Sequence, residues 1–316
     1  MKNILVLIPV KEAHKKLLEE RAPSANFVYA EADTVDADLV RNANIIIGYP
    51  PAAIVKESKN LEWLQLQSAG TGEFVDKGVL ADRVILTNAS GAYGLAISEY
   101  MLGVLLEMFK NLHIYRDKQM QAEWSYSGRV QAVYGSTALV AGLGDIGGEF
   151  ARRMNLLGTY TIGIRRKDTD KPEYLDELYF MDKFEEMLPR ADIVALSLPE
   201  TSLTQKIINK NTLKLMKKNA VLINVGRGSA VDTDALCDAL ESGQIAGAAL
   251  DVTDPEPLPE DHRLWRLKNA VITPHISGSF SLPETFDRIV RISADNLDAY
   301  MNGRKLRNIV DRSAGY

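Results

Sequence analysis

The sequence predicts an α/β protein of two domains, each with a parallel sheet. Short apolar runs alternate with polar, helix-like stretches along most of the 316 residues. Strands joined through helices cross over right-handedly and so form parallel sheets. The series breaks once, near residue 94, at a long apolar helical pattern followed by an irregular stretch, and then restarts. A chain of this length buries more than one core.

In the first series, Ile4 to Ile8 is a strand that stops at Pro9; no small-residue cleavage site follows, so it is not a signal peptide. Phe27 to Ala30, Ile45 to Gly48, Trp63 to Gln67 and Val84 to Thr87 read as the next strands. Ala13 to Glu20 and Ala52 to Lys56 are helices between them. Ile97 to Phe109 then carries apolar residues at helical spacing, and Asp117 to Tyr134 reads as an irregular connection.

The second series opens with a strand over Thr137 to Ala141 and a helix over Gly148 to Leu157. Tyr160 to Ile164, Ile193 to Leu196, Ala220 to Asn224, Ile245 to Asp251 and Ala270 to Thr273 continue the strands. Asp232 to Ser242 is a helix stopped by Gly243. A last helix runs from Pro283 to Met301 and closes on Asn302-Gly303. If it packs back on the first domain, that domain is discontinuous, with hinges near Gly91 to Gly94 and Gly278 to Pro283.

Composition narrows the function. A net charge of -5 and the lack of any long basic run give no electrostatic footprint for nucleic acid. The apolar runs are too short to span a bilayer, so no membrane partner is expected. The single Cys237 forms no intramolecular disulfide and fits a reducing, cytoplasmic compartment. No Cys/His cluster has metal-ligand spacing, so no metal is expected.

Two constellations carry chemistry. The first is Gly142-Leu143-Gly144-Asp145-Ile146-Gly147, which leaves a strand and opens a helix. One glycine makes the turn, a second lets a pyrophosphate approach the backbone, and a third packs helix on strand. The helix start then offers N–H groups to phosphate. Arg165 stands eighteen residues beyond Gly147, beside Arg166, where an NAD enzyme carries an acid for the ribose hydroxyls. Two guanidiniums attract a 2′-phosphate, so NADP(H) is preferred, with NAD(H) possible. The second constellation places Arg227, Glu256 and His275 in order, each beside Gly or Pro and just past an apolar run. A permanently charged fork, a carboxylate and an imidazole can grip a 2-oxo acid and move a proton onto it. Taken singly, each has a plainer reading, as a surface ion pair, a turn carboxylate and a core histidine; together they point to hydride transfer.

With these motifs in hand, the chain resembles the D-isomer-specific 2-hydroxyacid dehydrogenase family, which includes glyoxylate/hydroxypyruvate reductases and phosphoglycerate dehydrogenases. The resemblance rests on Gly142 to Gly147, Leu198-Pro199-Glu200-Thr201 with Thr204, and Leu222 to Gly228. Ala249 to Val252, Pro255 to Pro259 and Thr273-Pro274-His275 complete it. It implies two Rossmann-like or flavodoxin-like domains: a dinucleotide-binding domain over residues 94–280 inserted into a discontinuous substrate domain over 1–93 and 281–316. It implies that Arg227 holds the substrate carboxylate and polarises the 2-oxo oxygen, and that His275 gives that oxygen a proton. Glu256 orients the ring and favours its charged form, and Asp251 meets the nicotinamide carboxamide. Leu198, Pro199, Thr204, Val225, His275 and Gly278 complete the cofactor contacts. In Ser68-Ala69-Gly70-Thr71-Gly72, the N–H groups of Ala69 and Gly70 cradle a substrate carboxylate. Domain closure would then exclude water.

Tyr93, Trp124 and Phe280 are candidate pocket residues. Gly72, where many relatives carry an acidic or amide residue, and Asn88-Ala89-Ser90-Gly91, which lacks a proline often found there, depart from the pattern and blur which acid fits. The expected activity is reduction of a small 2-oxo acid such as glyoxylate or hydroxypyruvate. The alternatives are a D-3-phosphoglycerate dehydrogenase and a cofactor-sensing, corepressor-like protein. The resemblance also implies a homodimer, with Ile97 to Phe109 and Asp117 to Tyr134 as its contact.

Overall fold

The computed structural model describes residues 1–166, 170–278 and 282–312. The chain divides into two compact units, one from residues 1–93 and 280–316, the other from residues 94–279. Among the described residues, no helix is long and apolar enough to cross a membrane.

In the first unit, strands β1 (Asn3–Val6), β2 (Asn26–Tyr29), β3 (Ile45–Ile47), β4 (Trp63–Gln65) and β5 (Ile85–Thr87) form one parallel sheet in the order β2-β1-β3-β4-β5. Helices α1 (Glu12–Arg21), α2 (Ala37–Asn42) and α3 (Ala52–Val55) join the strands. The Ile-Ile-Ile run of β3 is wholly buried, as suits a central parallel strand covered on both faces.

The second unit opens with α4 (Gly94–Phe109) and α5 (Leu112–Met120), then β6 (Thr137–Ala141), α6 (Asp145–Leu156), β7 (Tyr160–Arg165) and β8 (Glu177–Phe180). It continues through α7 (Phe184–Met187), β9 (Ile193–Leu196), α8 (Lys210–Leu215), β10 (Val221–Asn224), α9 (Thr233–Glu241), β11 (Gly247–Leu250) and β12 (Ala270–Ile272). The seven strands form a parallel sheet ordered β12-β11-β10-β9-β6-β7-β8. From β6 the chain builds outward through β7 and β8, then returns to lay β9 to β12 on the other side. The order therefore reverses between β6 and β9, and ligands of such sheets bind outside the carboxyl ends at that point.

The closing helix α10 (Pro283–Met301) returns to the first unit. It buries Phe286, Ile289, Val290 and Leu297, and Tyr300 stacks on Trp63 with ring centroids 5.4 Å apart. Asn296 Nδ2 donates to Gln65 Oε1 at 2.8 Å, pinning α10 to the end of β4.

Some elements differ from expectation. Helix α6 starts at Asp145, three residues before Gly148, so Gly147 lies inside its first turn. Residues 117–120 belong to α5, within the stretch expected to be irregular; this helix buries no residue, so it has no apolar stripe for periodicity to reveal. Strand β8 was also hidden, because its residues are half-buried or exposed at a sheet edge.

Candidate active site

Six loops converge on the carboxyl edge of the second sheet, those following β6, β7, β9, β10, β11 and β12. In the loop after β6, three glycines have three distinct physical reasons. Gly142 has φ +92°, a conformation costly for any side chain. A Cβ on Gly147 would lie 1.9 Å from Gly142 O, so this glycine allows helix and loop to touch. Ser197, just past β9, fastens the turn by donating from Oγ to Gly142 O at 2.7 Å.

Gly144 is different: its φ is -75°, it is exposed, and a Cβ there would meet nothing within 4 Å. Neither strain nor packing asks for glycine at that place, whereas a ligand lying against the backbone would. It N-caps α6, and no side chain caps the helix. The first N–H groups of a 12-residue helix are thus left to solvent or a ligand, which fits a dinucleotide pyrophosphate. The Asp145 carboxylate accepts the N–H of Gly94 at 2.6 Å, joining the starts of α4 and α6. Ile146 stands in the same uncapped turn.

Arg165 ends β7 half-buried, and Arg166 follows it exposed. Arg165 Nη2 donates to Asp170 O at 2.9 Å. Tyr174, in that loop, has its phenol pushed up by burial and by the Glu149 charge, while Arg165 and Arg152 pull it down.

Past β10, Asn224 builds the turn that presents Arg227. Its Oδ1 accepts from Gly226 N at 3.1 Å and its Nδ2 donates to Arg227 O at 2.9 Å. Gly226 is confined, since a Cβ would lie 2.6 Å from Leu198 O. Arg227 is half-buried and donates from Nη1 to Gly226 O at 2.8 Å. No carboxylate among the described residues pairs with it, an unusual state for a partly buried guanidinium and one that suits an anionic ligand.

On the neighbouring loops, His275 Nδ1 stands 2.7 Å from Glu256 Oε1. The pair is half-exposed. With Nδ1–H committed to a carboxylate, Nε2 remains for chemistry.

Asp251, which the resemblance gives to the nicotinamide carboxamide, is 1% exposed, and its two oxygens bond the His275 segment. Oδ1 accepts from Thr273 Oγ1 at 2.6 Å and Ile276 N at 2.9 Å; Oδ2 accepts from Ser277 N at 3.0 Å and from the Ser277 hydroxyl. Four donors fill the four acceptor positions of a carboxylate. The Thr204 hydroxyl bonds within its own turn, donating to Pro199 O at 2.7 Å and accepting from Thr201 N at 2.9 Å. Leu198 and Val225 are buried, and Pro199 and Gly278 half-buried, on the same edge.

In the first unit, the loop after β4 turns its carbonyls toward the protein. Gln67 O accepts from Tyr93 Oη at 2.6 Å, Ser68 O from Ala89 N at 2.9 Å, Ala69 O from Asn88 Nδ2 at 2.9 Å and Gly70 O from Ser68 Oγ at 2.6 Å. The N–H groups of Ala69 and Gly70 find no acceptor among the described residues, as an anion cradle requires. Tyr93 is buried as a brace for this loop, Trp124 is fully exposed, and Phe280 lies outside the described residues. Asn224 and Ser197 brace the loops of the second sheet's edge and Tyr93 braces the loop after β4, yet only an Asn or Ser at a strand end hints at the first two in sequence.

Over residues 102–277 the chain matches the family described as D-isomer specific 2-hydroxyacid dehydrogenase, NAD binding domain. A glyoxylate reductase of Thermofilum pendens is 31% identical over 270 residues, 83% of this chain and 78% of that protein. A crystal structure of a D-isomer specific 2-hydroxyacid dehydrogenase family protein from Aeromonas salmonicida is similar with a TM-score of 0.86 and 30% identity, covering 98% of this chain and 99% of that one. A D-isomer specific 2-hydroxyacid dehydrogenase from Xanthobacter autotrophicus, in complex with NADPH and MES, gives a TM-score of 0.82 at 26% identity, covering 100% and 99%.

Proposed function

Because the chain belongs to the D-isomer specific 2-hydroxyacid dehydrogenase family, and so is an NAD(P)-dependent 2-hydroxyacid oxidoreductase, we propose that it reduces a small 2-oxo acid such as glyoxylate or hydroxypyruvate, with NADPH preferred. The observation that carries this is the His275–Glu256 hydrogen bond on the edge of the sheet that also carries the uncapped start of α6.

Each residue then has a task. The N–H groups at Gly144, Asp145 and Ile146 receive the pyrophosphate, and Gly144 leaves it room. When bound, the reduced nicotinamide supplies the hydride. Arg227 draws the substrate's 2-oxo oxygen and carboxylate by charge and lowers the cost of the negative charge that develops. His275 gives the Nε2 proton to the 2-oxo oxygen and takes it back in the reverse direction. Glu256 fixes the ring through Nδ1. Ala69 and Gly70 offer N–H groups to a substrate carboxylate. Residues 1–93 with the C-terminal segment thus act as the substrate domain, and residues 94–280 as the dinucleotide-binding domain.

Arg165 and Arg166 support NADPH, because guanidiniums attract a 2′-phosphate that an acid would repel. The NADPH bound to the Xanthobacter relative is in accord. Trp124, Tyr126, Val130 and Tyr134 are all exposed within one stretch, which supports a second copy of the chain as its cover. The lone Cys237 supports a reducing, cytoplasmic setting. Turnover of a panel of 2-oxo acids with each cofactor tests the reading.

A further inference from the structure

His275 sits in left-handed backbone, φ +53°, on a loop organised by the buried Asp251. Its N–H donates to Asp251 O at 2.9 Å, and the next two residues donate to the Asp251 carboxylate. One further group reaches this loop from a distant part of the sequence. Tyr100, on α4, places Oη 2.6 Å from Thr273 Oγ1. The direction of that bond follows from its neighbours. A carboxylate only accepts, so the single hydroxyl proton of Thr273 is committed to Asp251 Oδ1. The Tyr100 hydroxyl must therefore be the donor, and the chain runs one way, from Tyr100 to Thr273 to Asp251. Burial first, then the charges of Asp251 and Glu107, push the phenol up to about 12, so it keeps the proton it donates.

We propose that Tyr100 is a positioning residue for the proton donor: through Thr273 and Asp251 it selects the loop conformation in which His275 meets Glu256. This rests on the reading of His275 as the proton donor. Without the phenol, the Thr273 hydroxyl loses a donor and its rotamer is no longer fixed from the α4 side. Asp251 then shares its Oδ1 between a looser hydroxyl and the Ile276 N–H. Aligned hydrogen bonds in a buried chain strengthen one another, so a loss at one end is felt at the other.

Three variants in the full chain test this, read by kinetics and by amide hydrogen exchange. Tyr100→Phe keeps the ring and removes only the donor. It should lower kcat by about tenfold, the effect of one net hydrogen bond, while leaving the dissociation constant for NADPH unchanged. Thr273→Val should lower kcat further, and Thr273→Ser should restore it to near the parent value. The double variant Tyr100→Phe/Thr273→Val should be no slower than Thr273→Val alone, because both changes break one chain. The amides of Ile276 and Ser277 should exchange faster in Tyr100→Phe, with those of β6 unchanged. Parent-like exchange at Ile276 and Ser277 in Tyr100→Phe, or kcat effects that simply multiply in the double variant, would overturn the proposal. Exchange needs no turnover, so a parent chain that reduces no 2-oxo acid would count against the proposed function while the Tyr100 link was still decided.

Discussion

His275 and Glu256 lie nineteen residues apart in sequence and 2.7 Å apart in space, ring nitrogen to carboxylate oxygen, on the loops after adjacent strands β12 and β11. Their side chains are 51% and 44% exposed, so the pair adds little to stability. Its worth lies in aiming the ring. Glu256→Ala should therefore leave thermal unfolding nearly unchanged and lower kcat by up to about 10⁴-fold, the loss seen when the carboxylate behind a catalytic imidazole is removed from a serine-protease triad. Steady-state kinetics beside a thermal melt checks it.

Gly144 and Gly147 make opposite predictions. A side chain at 144 enters open space at an ordinary φ, so Gly144→Val should fold like the parent yet bind NADPH at least about tenfold more weakly. A Cβ at 147 meets Gly142 O at 1.9 Å, so Gly147→Ala should destabilise the whole second unit. Calorimetry and cofactor titration on the two variants separate a ligand-facing glycine from a packing one.

Removing the charges of Arg165 and Arg166 together, as Arg165→Ala/Arg166→Ala, should raise the KM for NADPH on the order of 10–100-fold, the range for lost hydrogen bonds to a charged group. The KM for NADH should hardly move. An equal rise for both cofactors would place these arginines elsewhere than at a 2′-phosphate.

Glu177 on β8 is held down to about 2, chiefly by its hydrogen bonds from Arg190, then by Tyr160 and Tyr179. A carboxylate lowered in the folded state stabilises fully above its unfolded value of about 4.3. That contribution fades as pH falls from there toward about 2. The melting temperature of the parent should thus drop toward that of Glu177→Gln over this window, and the gap should be largest near neutrality. High salt should narrow it, since Arg190 is 39% exposed.

Much of the fold was legible because parallel strands buried on both faces leave unbroken apolar runs: Thr137–Ala141 and Ile193–Leu196 emerge with their expected bounds. Pro283–Met301 does as well, since a proline opens it and an amphipathic stripe runs its length. The start of α6 was obscured by Gly147 and Gly148, which read locally as loop; only the close approach of Gly147 to Gly142, where a Cβ would lie 1.9 Å from Gly142 O, shows why glycine stands inside the first turn. The uses of Asp145 and Asp251 were hidden for a related reason. What a carboxylate accepts depends on partners far away in sequence, here Gly94 and the segment 273–277.

The most direct measurement is the oxidation of NADPH and of NADH, followed by absorbance, across a panel of 2-oxo acids, for the parent and for His275→Gln. A small acid such as glyoxylate or hydroxypyruvate should be reduced, fastest with NADPH. The His275→Gln rate should fall about 10²–10⁴-fold while NADPH still binds. No turnover of any acid with either cofactor, or an unchanged rate in His275→Gln, would contradict the roles given to Arg227 and His275.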